Sequence, residues 1–415
     1  MSHQKLLLHL RAILQILLAI SLVLNYAEIE ARHSLSEAED LELERQLKLL
    51  NKPAIKTIKG KYGEVYDCVD FYKQLAFDHP QLKNHNFHPE MKPTLHTLQG
   101  DDTSSNVNRP FNIELEGRGC PTRTVPIKRI TKDDLIRQIH LSQVGDANDS
   151  PDDDDIKFSL SYGTRNEITL GGLEFATVQI PDNPTNKLAG AGAILSLHNP
   201  QIYEHQFTGG FIKVQNGIDN IQVGWIVNPD LYGDNRTRSY IYLKTGKSAC
   251  FNTRCPGFVH VNSAIPLDGE LLSSTYGGPI YDIPMYIARD ASNGNWWFRI
   301  GSNYTGVGFW PAKIFTKLNG FATSAEYGGV AHSNRGDPDI PSMGGGYLPA
   351  GNLTKDGYCR KSIFINDKNQ MKSLIDIPVK LYASNPHWYK VADSPDSKDI
   401  FGNLVLYGGP LYEYS

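Results

Sequence analysis

Beyond Ile156 the chain consists of short segments in which apolar and polar residues alternate, each ended by Gly, Asn or Pro. A period of two is typical of strands that bury one face, and turn residues recur at intervals of roughly ten residues. No segment here demands a long helix, so the pattern predicts an all-β sandwich or barrel. The candidate strands are Ala193–His198, Phe211–Gln215, Ile221–Asn228, Ser239–Leu243, Gly257–Asn262, Asp282–Ala288 and Trp296–Gly301.

The first 31 residues are typical of a secretory signal peptide. Basic Lys5 and Arg11 precede the apolar run Ala12–Leu24, which is too short for an ordinary membrane-spanning helix. No later stretch is long and apolar enough to span a bilayer. We therefore expect a secreted, extracellular protein, with the cell wall as one destination, and no membrane attachment once the signal peptide is removed.

An acidic segment, residues 145–155, divides the remainder of the chain. It holds a run of four aspartates and almost no apolar side chain, which is typical of an exposed linker, and Pro151 within it is a candidate processing site. Residues 32–144 are predicted to form a smaller mixed domain that begins with a helix, Ser36–Leu50. Residues 156–415 form the all-β domain.

Five cysteines can form at most two disulfides within one chain. Cys250 and Cys255 flank a turn, and Cys68 and Cys120 are available for a second bridge, which leaves Cys359 over. Four Asn-X-Ser/Thr sequons predict glycosylation at Asn148, Asn235, Asn303 and Asn352.

Several function classes lack their sequence signals. A net charge of −4 gives no basic field for nucleic acid. The chain has no phosphate-binding glycine loop, no dinucleotide fingerprint, no serine-hydrolase elbow and no zinc spacing, and its clustered histidines lie in loop-like sequence. We expect no cofactor and no metal.

Several segments, taken in order, resemble the neprosin family of plant proteins, secreted glutamic peptidases that cleave after proline. The resemblance covers nearly the whole chain after the signal peptide. Residues 40–130 resemble the activation peptide of that family, and the later region resembles its peptidase domain, an antiparallel β-sandwich of two sheets. The matching segments are Asp67-Cys68-Val69, Phe77-Asp78-His79-Pro80, Cys120-Pro121, Gly224-Trp225, Asn228–Asp234, Cys250–Gly257, Gly294–Trp297, Gly308–Pro311, Met343–Gly346 and Tyr407–Pro410.

The chemistry that the resemblance implies needs two glutamates facing each other across a groove. One carboxylate takes a proton from the attacking water, while the other carboxyl stays protonated, hydrogen-bonds the oxyanion and later serves as acid. This chain has Gln222 and Val330 where the family has those glutamates. Gln222 can still donate a hydrogen bond, but Val330 can neither accept a proton nor activate water.

Two nearby residues are alternative sources of the missing group. Glu326 and His332 have the same strand parity as Val330. Glu326 lies roughly 13 Å from Val330 along a strand, so its pairing with Gln222 is expected to need a bulge at Gly328-Gly329.

Three functions are therefore carried forward. The first is a peptidase-like protein with a degraded dyad that binds extended, proline-rich peptides without efficient cleavage. The second is an acid-active prolyl endopeptidase that uses Gln222 with Glu326 or His332. The third is a cell-wall or carbohydrate-binding glycoprotein. Four tryptophans are candidate groove aromatics or core residues, namely Trp225, Trp296, Trp297 and Trp310.

Overall fold

The computed structural model describes residues 37–94, 115, 119–137, 157–159, 167–169, 172–203, 205–246, 248–334, 340–394 and 402–410. The predicted signal peptide, the acidic linker and Asn148 lie outside these ranges. Every helix within them is too short or too polar to cross a membrane.

The chain forms two compact units, Met1–Leu49 and Leu50–Ser415. The described part of the first is helix α1, Glu37–Leu50, which confirms the helix predicted from Ser36. Arg45 and Glu42 form an ion pair at 2.6 Å one turn apart on its surface, an arrangement that supports a helix.

The second unit contains three antiparallel sheets. Sheet I has the order β1-β2-β3, formed by Ala54–Lys59, Val65–Asp70 and Thr124–Lys128. Between β2 and β3 lie short 3₁₀ turns at Phe71–Lys73, Leu75–Asp78 and Pro80–Leu82, and residues 132–137 are helical.

Sheet II has nine strands in the order β19-β6-β16-β8-β9-β10-β11-β4-β5. In chain order these are β4 Lys157–Ser159, β5 Glu167–Thr169, β6 Leu173–Ile180, β8 Phe207–Asn216, β9 Asp219–Val227, β10 Arg238–Thr245, β11 Ser248–Phe251, β16 Ser324–His332 and β19 Lys380–Ala383. A short helix, α2 (Pro229–Tyr232), joins β9 to β10 and is capped by the side chain of Asn228.

Sheet III has the order β12-β15-β14-β13-β7-β17-β21-β20, with β18 paired to β17. Its strands are β7 Gly190–Ser196, β12 Val259–His260, β13 Asp282–Arg289, β14 Trp296–Ile300, β15 Thr305–Trp310, β17 Gly357–Ile365, β18 Met371–Ser373, β20 Lys390–Ser394 and β21 Leu404–Gly408. Further 3₁₀ turns lie at Ala312–Ile314 and Leu374–Asp376.

Sheets II and III enclose the main core, which includes Val223 and Trp225 of β9 and Met285 and Ile287 of β13. The predicted all-β fold, a sandwich of two antiparallel sheets, is therefore confirmed. All seven candidate strands overlap strands of the structure.

Both disulfides proposed from the sequence are present, Cys68–Cys120 and Cys250–Cys255, and Cys359 is free and buried. The first ties β2 to the segment that leads into β3. The second closes the turn that follows β11.

The β1–β2 turn docks on the sandwich through a buried arginine. Arg238, at the start of β10, donates to the carboxylates of Glu64 at 2.7 Å and Asp234 at 2.6 Å. Its side chain is 1% exposed and that of Glu64 is 9% exposed. Further along, the backbone N–H of His260 donates to Gln74 at 2.8 Å, and that of Thr94 donates to Asp290 at 2.7 Å.

Candidate functional site

The two faces of sheet II differ in chemistry because successive side chains on a strand point to opposite sides. Ile221, Val223 and Trp225 point into the main core. Gln222, between them, belongs to the opposite face, which we call the outer face of sheet II. Any site built on Gln222 must therefore use side chains of that face.

Strand register sets four polar side chains in one line across the outer face. Glu326 of β16 pairs with Gln179 of β6 on one side and with Lys213 of β8 on the other, and Lys213 pairs with Gln222 of β9. All four side chains are partly exposed. We call Gln179, Glu326, Lys213 and Gln222 the polar row.

Glu326 therefore lies on the row of Gln222 without a bulge, and the expectation that a bulge was needed is wrong. The register from β16 through β8 to β9 shows no shift. Two strand spacings put the Cα atoms of Glu326 and Gln222 about 9.6 Å apart.

Lys213 lies between these two residues and holds the glutamate. Its Nζ is 2.7 Å from Oε1 of Glu326, and the two side chains are 17% and 16% exposed. A carboxylate in contact with an ammonium group and largely withdrawn from water is a poorer proton acceptor than a free one. The ion pair thus opposes a role for Glu326 as general base.

Gln222 is held from the other side, because its amide donates a hydrogen bond to the hydroxyl of Tyr240 on β10. Burial raises the pKa of the Tyr240 phenol well above its ordinary value, and the bond from Gln222 lowers it by less. Burial also raises the pKa of Tyr242, which pairs with Gln222 across the strands. Both phenols stay neutral hydrogen-bonding groups.

Val330 lies away from the polar row. It is four residues beyond Glu326 on β16 and pairs with Gly209 of β8, which in turn pairs with Ile226 of β9. With about 13 Å along the strand and 9.6 Å across, its Cα is roughly 16 Å from that of Gln222. The facing arrangement that the resemblance implied is thus a long diagonal of the sheet.

An aromatic side chain occupies the middle of that diagonal. Phe211 of β8 lies midway between the rows of Gln222 and Val330 and is fully buried. It belongs with Val330, which is 4% exposed, to an apolar cluster that also includes Ile226 and Phe207. The ring of Phe175 packs edge-on against Phe211, with 6.2 Å between centroids.

The backbone beside Phe211 requires glycine. Gly224 and Gly328 pair with Phe211 from either side. A Cβ on Gly224 would lie 2.0 Å from the carbonyl oxygen of Gly210. Gly328 has φ +152°, and a Cβ there would lie 2.2 Å from the carbonyl oxygen of Ala176. The Gly-Trp and Gly-Gly motifs of the sequence thus leave two bare positions around one ring.

His332 cannot replace the missing carboxylate. It is 1% exposed, and its ring stacks on Phe207 with 5.1 Å between centroids. It lies six residues beyond Glu326 on β16, further still from the polar row than Val330. This alternative from the sequence is wrong because the side chain is buried in the wrong row.

The proposed groove tryptophans are also corrected. Trp225, Trp296, Trp297 and Trp310 are all completely buried within the main core. Their side chains stabilise the sandwich, and none lies on an open groove. Sequence alone could not distinguish these two roles, since both place an aromatic residue on a strand.

Lys213, Phe211, Tyr240 and Gln179 were not singled out from the sequence. The alternation of Phe211–Gln215 signals that Phe211 and Lys213 share a face, but not that this face is the one of Gln222. Among the sequons, Asn235, Asn303 and Asn352 are exposed, so their glycosylation stays a prediction.

Comparisons with known proteins bear on this site. The Neprosin family model matches residues 204–410, and the Neprosin activation peptide model matches residues 57–179. Together they cover most of the chain, including every residue of the polar row.

Solved structures offer only distant likenesses. A scytalido-glutamic peptidase with a peptide-based transition-state analogue shares 12% identity over 58% of this chain and 100% of its own, with TM-score 0.33. SCP-B, an eqolisin-family peptidase in a complex with the tripeptide Ala-Ile-His, shares 10% identity over 59% of this chain and 100% of its own, with TM-score 0.31. Such low scores carry no weight for activity.

Proposed function

Because this chain belongs to the neprosin family, we propose that it is a secreted, peptidase-like protein that binds extended, proline-rich peptides and does not cleave them efficiently. The outer face of sheet II is the binding surface. The polar row supplies the hydrogen bonds, and the bare positions at Gly224 and Gly328 give room for the peptide beside it.

The observation that supports loss of cleavage is the apolar diagonal between Gln222 and Val330. Two carboxyl groups that share a water need a polar, hydrated gap. Here Phe211 is buried at the midpoint and Val330 packs against it. The nearest carboxylate on this face, Glu326, is held by Lys213.

The polar row suits a proline-rich partner. Proline has no backbone N–H, and polyproline II segments leave their carbonyl groups open to outside donors. Gln179, Lys213 and Gln222 each carry donor groups and are partly exposed. A peptide lying across the strands would accept hydrogen bonds from successive members of the row.

A second candidate function is favoured by the register itself. Glu326 and Gln222 share one row, so a peptide bound across it meets a carboxylate and an amide. Glu326 would take the proton of the attacking water and pass it to the leaving amine, while Gln222 donates to the oxyanion. The ion pair with Lys213 must open before this can occur.

Binding and cleavage are tested on the same labelled proline-rich peptide. Binding is measured by fluorescence anisotropy, and cleavage by mass spectrometry at acid and neutral pH. We expect wild type to bind without cutting, and Gln222→Ala and Lys213→Met each to weaken binding. Lys372→Met, which changes an exposed lysine on β18 of the other sheet, is the matched control and should bind as wild type does.

Restoring the family residues tests the apolar diagonal. Gln222→Glu/Val330→Glu should remain silent while Phe211 fills the gap, whereas the same pair with Phe211→Ser should cut after proline. Cleavage by wild type that Glu326→Gln abolishes would reject the proposal in favour of the second candidate.

A further inference from the structure

A small cavity of about 100 Å³ opens among loops that follow β7 and precede β17. It shares no residue with the polar row, so the inference drawn from it does not depend on the proposed peptide binding. The residues that matter for its chemistry are His198, Ser274, Tyr276, Tyr347 and Lys355.

His198 presents an unused hydrogen-bonding atom to this cavity. The residue is 5% exposed, and its Nε2 is buried without a partner. A hydrogen bond with the backbone of Asp356 occupies the other ring nitrogen. The N–H of Asp356 already donates to Asn352, so the ring must donate to the carbonyl oxygen.

The tautomer of His198 follows from that bond. Burial lowers the pKa of His198 to about 4, against the opposing effect of the Asp356 bond, so the ring is neutral at ordinary pH. A neutral imidazole that donates through Nδ1 can only accept through Nε2. The wall of the cavity therefore asks for an O–H or N–H donor.

Two tyrosines and a lysine form the mouth. The Nζ of Lys355 lies 4.4 Å from the ring centroid of Tyr276 and 4.6 Å from that of Tyr347. The two rings are 6.0 Å apart, and Tyr276 is 62% exposed. The cation thus rests against both rings, while much of Tyr276 remains open to a ligand.

The charges select among ligand classes. Lys355 repels a cationic ligand, and the lone pair of Nε2 in His198 repels an anionic one. What remains is a neutral molecule with hydroxyl donors and an apolar face that can stack on an aromatic ring. We infer that this cavity is a binding site for one neutral sugar unit of an oligosaccharide, with a hydroxyl donating to His198 and the ring lying against Tyr276.

Isothermal titration calorimetry on the full-length secreted protein tests the site. The probes are three neutral hexasaccharides: cellohexaose, xylohexaose and mannohexaose. Hexagalacturonate and a proline decapeptide are the anionic and peptide comparisons. His198→Phe removes the acceptor with a ring of similar size, and Tyr276→Ala removes the exposed face.

We expect at least one neutral hexasaccharide to bind, and each variant to weaken it by about tenfold. Tyr382→Ala is the matched control, because Tyr382 is another exposed tyrosine beside a lysine, Lys380, on sheet II, and it should leave binding unchanged. Tyr276 is at the surface, so its variant reports on the site even where His198→Phe fails to fold.

Three results would overturn the inference: no heat from any neutral hexasaccharide, binding that Tyr276→Ala leaves intact, or tighter binding of the uronate or the peptide. Loss of sugar binding with peptide binding intact, or the reverse, separates this site from the polar row.

Discussion

Replacing Val330 by glutamate measures whether the diagonal between Gln222 and Val330 is dry. Val330 is 4% exposed among Phe211, Phe207 and Ile226. A carboxyl group buried there without a partner should have its pKa raised by about 3 units or more. The folded variant then holds its proton at neutral pH, whereas the unfolded chain releases it above about pH 4.3.

The size of the effect follows from this difference. A raised folded-state pKa means that stability falls as pH rises, by about 1.4 kcal/mol per pH unit above the unfolded pKa. Between about pH 4.3 and 7 the loss sums to roughly 4 kcal/mol. Val330→Gln has nearly the same shape and no titrating group, so its cost should not change over this range.

The assay is urea unfolding of both variants at several pH values, followed by tryptophan fluorescence. The free energy of unfolding of Val330→Glu should match that of Val330→Gln near pH 4 and fall below it by several kcal/mol at pH 7. Equal stabilities at pH 7 would mean that water and space are present at position 330. The argument that this face has lost its catalytic gap would then fail.

Three further predictions concern the rest of the fold. The Cys68–Cys120 bond spans 52 residues, so replacing both cysteines by serine should cost about 4 kcal/mol by the chain-entropy relation; calorimetry showing an unchanged Tm would contradict this. Burial raises the pKa of Glu64, but Arg238 more than offsets this and the pKa is lowered overall. Its contribution to stability is therefore present at neutral pH and is lost as pH falls below about 4.5. Glu64→Gln should remove this part of the acid sensitivity, and an unaltered unfolding profile against pH would count against the buried contact. Burial raises the pKa of the Cys359 thiol, so Ellman's reagent should react with it only after unfolding; fast reaction of the native protein would show that the thiol is accessible.

Local patterns in the sequence carried the fold a long way. The alternation in segments such as Ile221–Asn228 reflects burial of one strand face, which any packing of two sheets requires. The cysteine pairing followed from a short turn and from the number of cysteines. The family motifs, dense in Gly, Trp and Pro, matched positions where the backbone has special needs, as at Gly224 and Gly328.

The site was harder to predict, because it depends on how strands far apart in sequence pair. Residues 222 and 326 are linked only through β8, and a shift of two residues in either pairing would move Glu326 off the row of Gln222. No local pattern encodes that register. Lys213 was overlooked for the same reason, since its partner Glu326 lies on a strand more than a hundred residues later.

The sequence by itself determined the fold class, the disulfides and the loss of both glutamates, because each is written in residue identity or short-range spacing. The tertiary structure alone decided which side chains meet. It buried the four tryptophans and His332, placed Phe211 between Gln222 and Val330, and set Lys213 against Glu326. The physical reason is that burial and register follow from long-range strand pairing, whose free energy is shared among many contacts and belongs to no single segment.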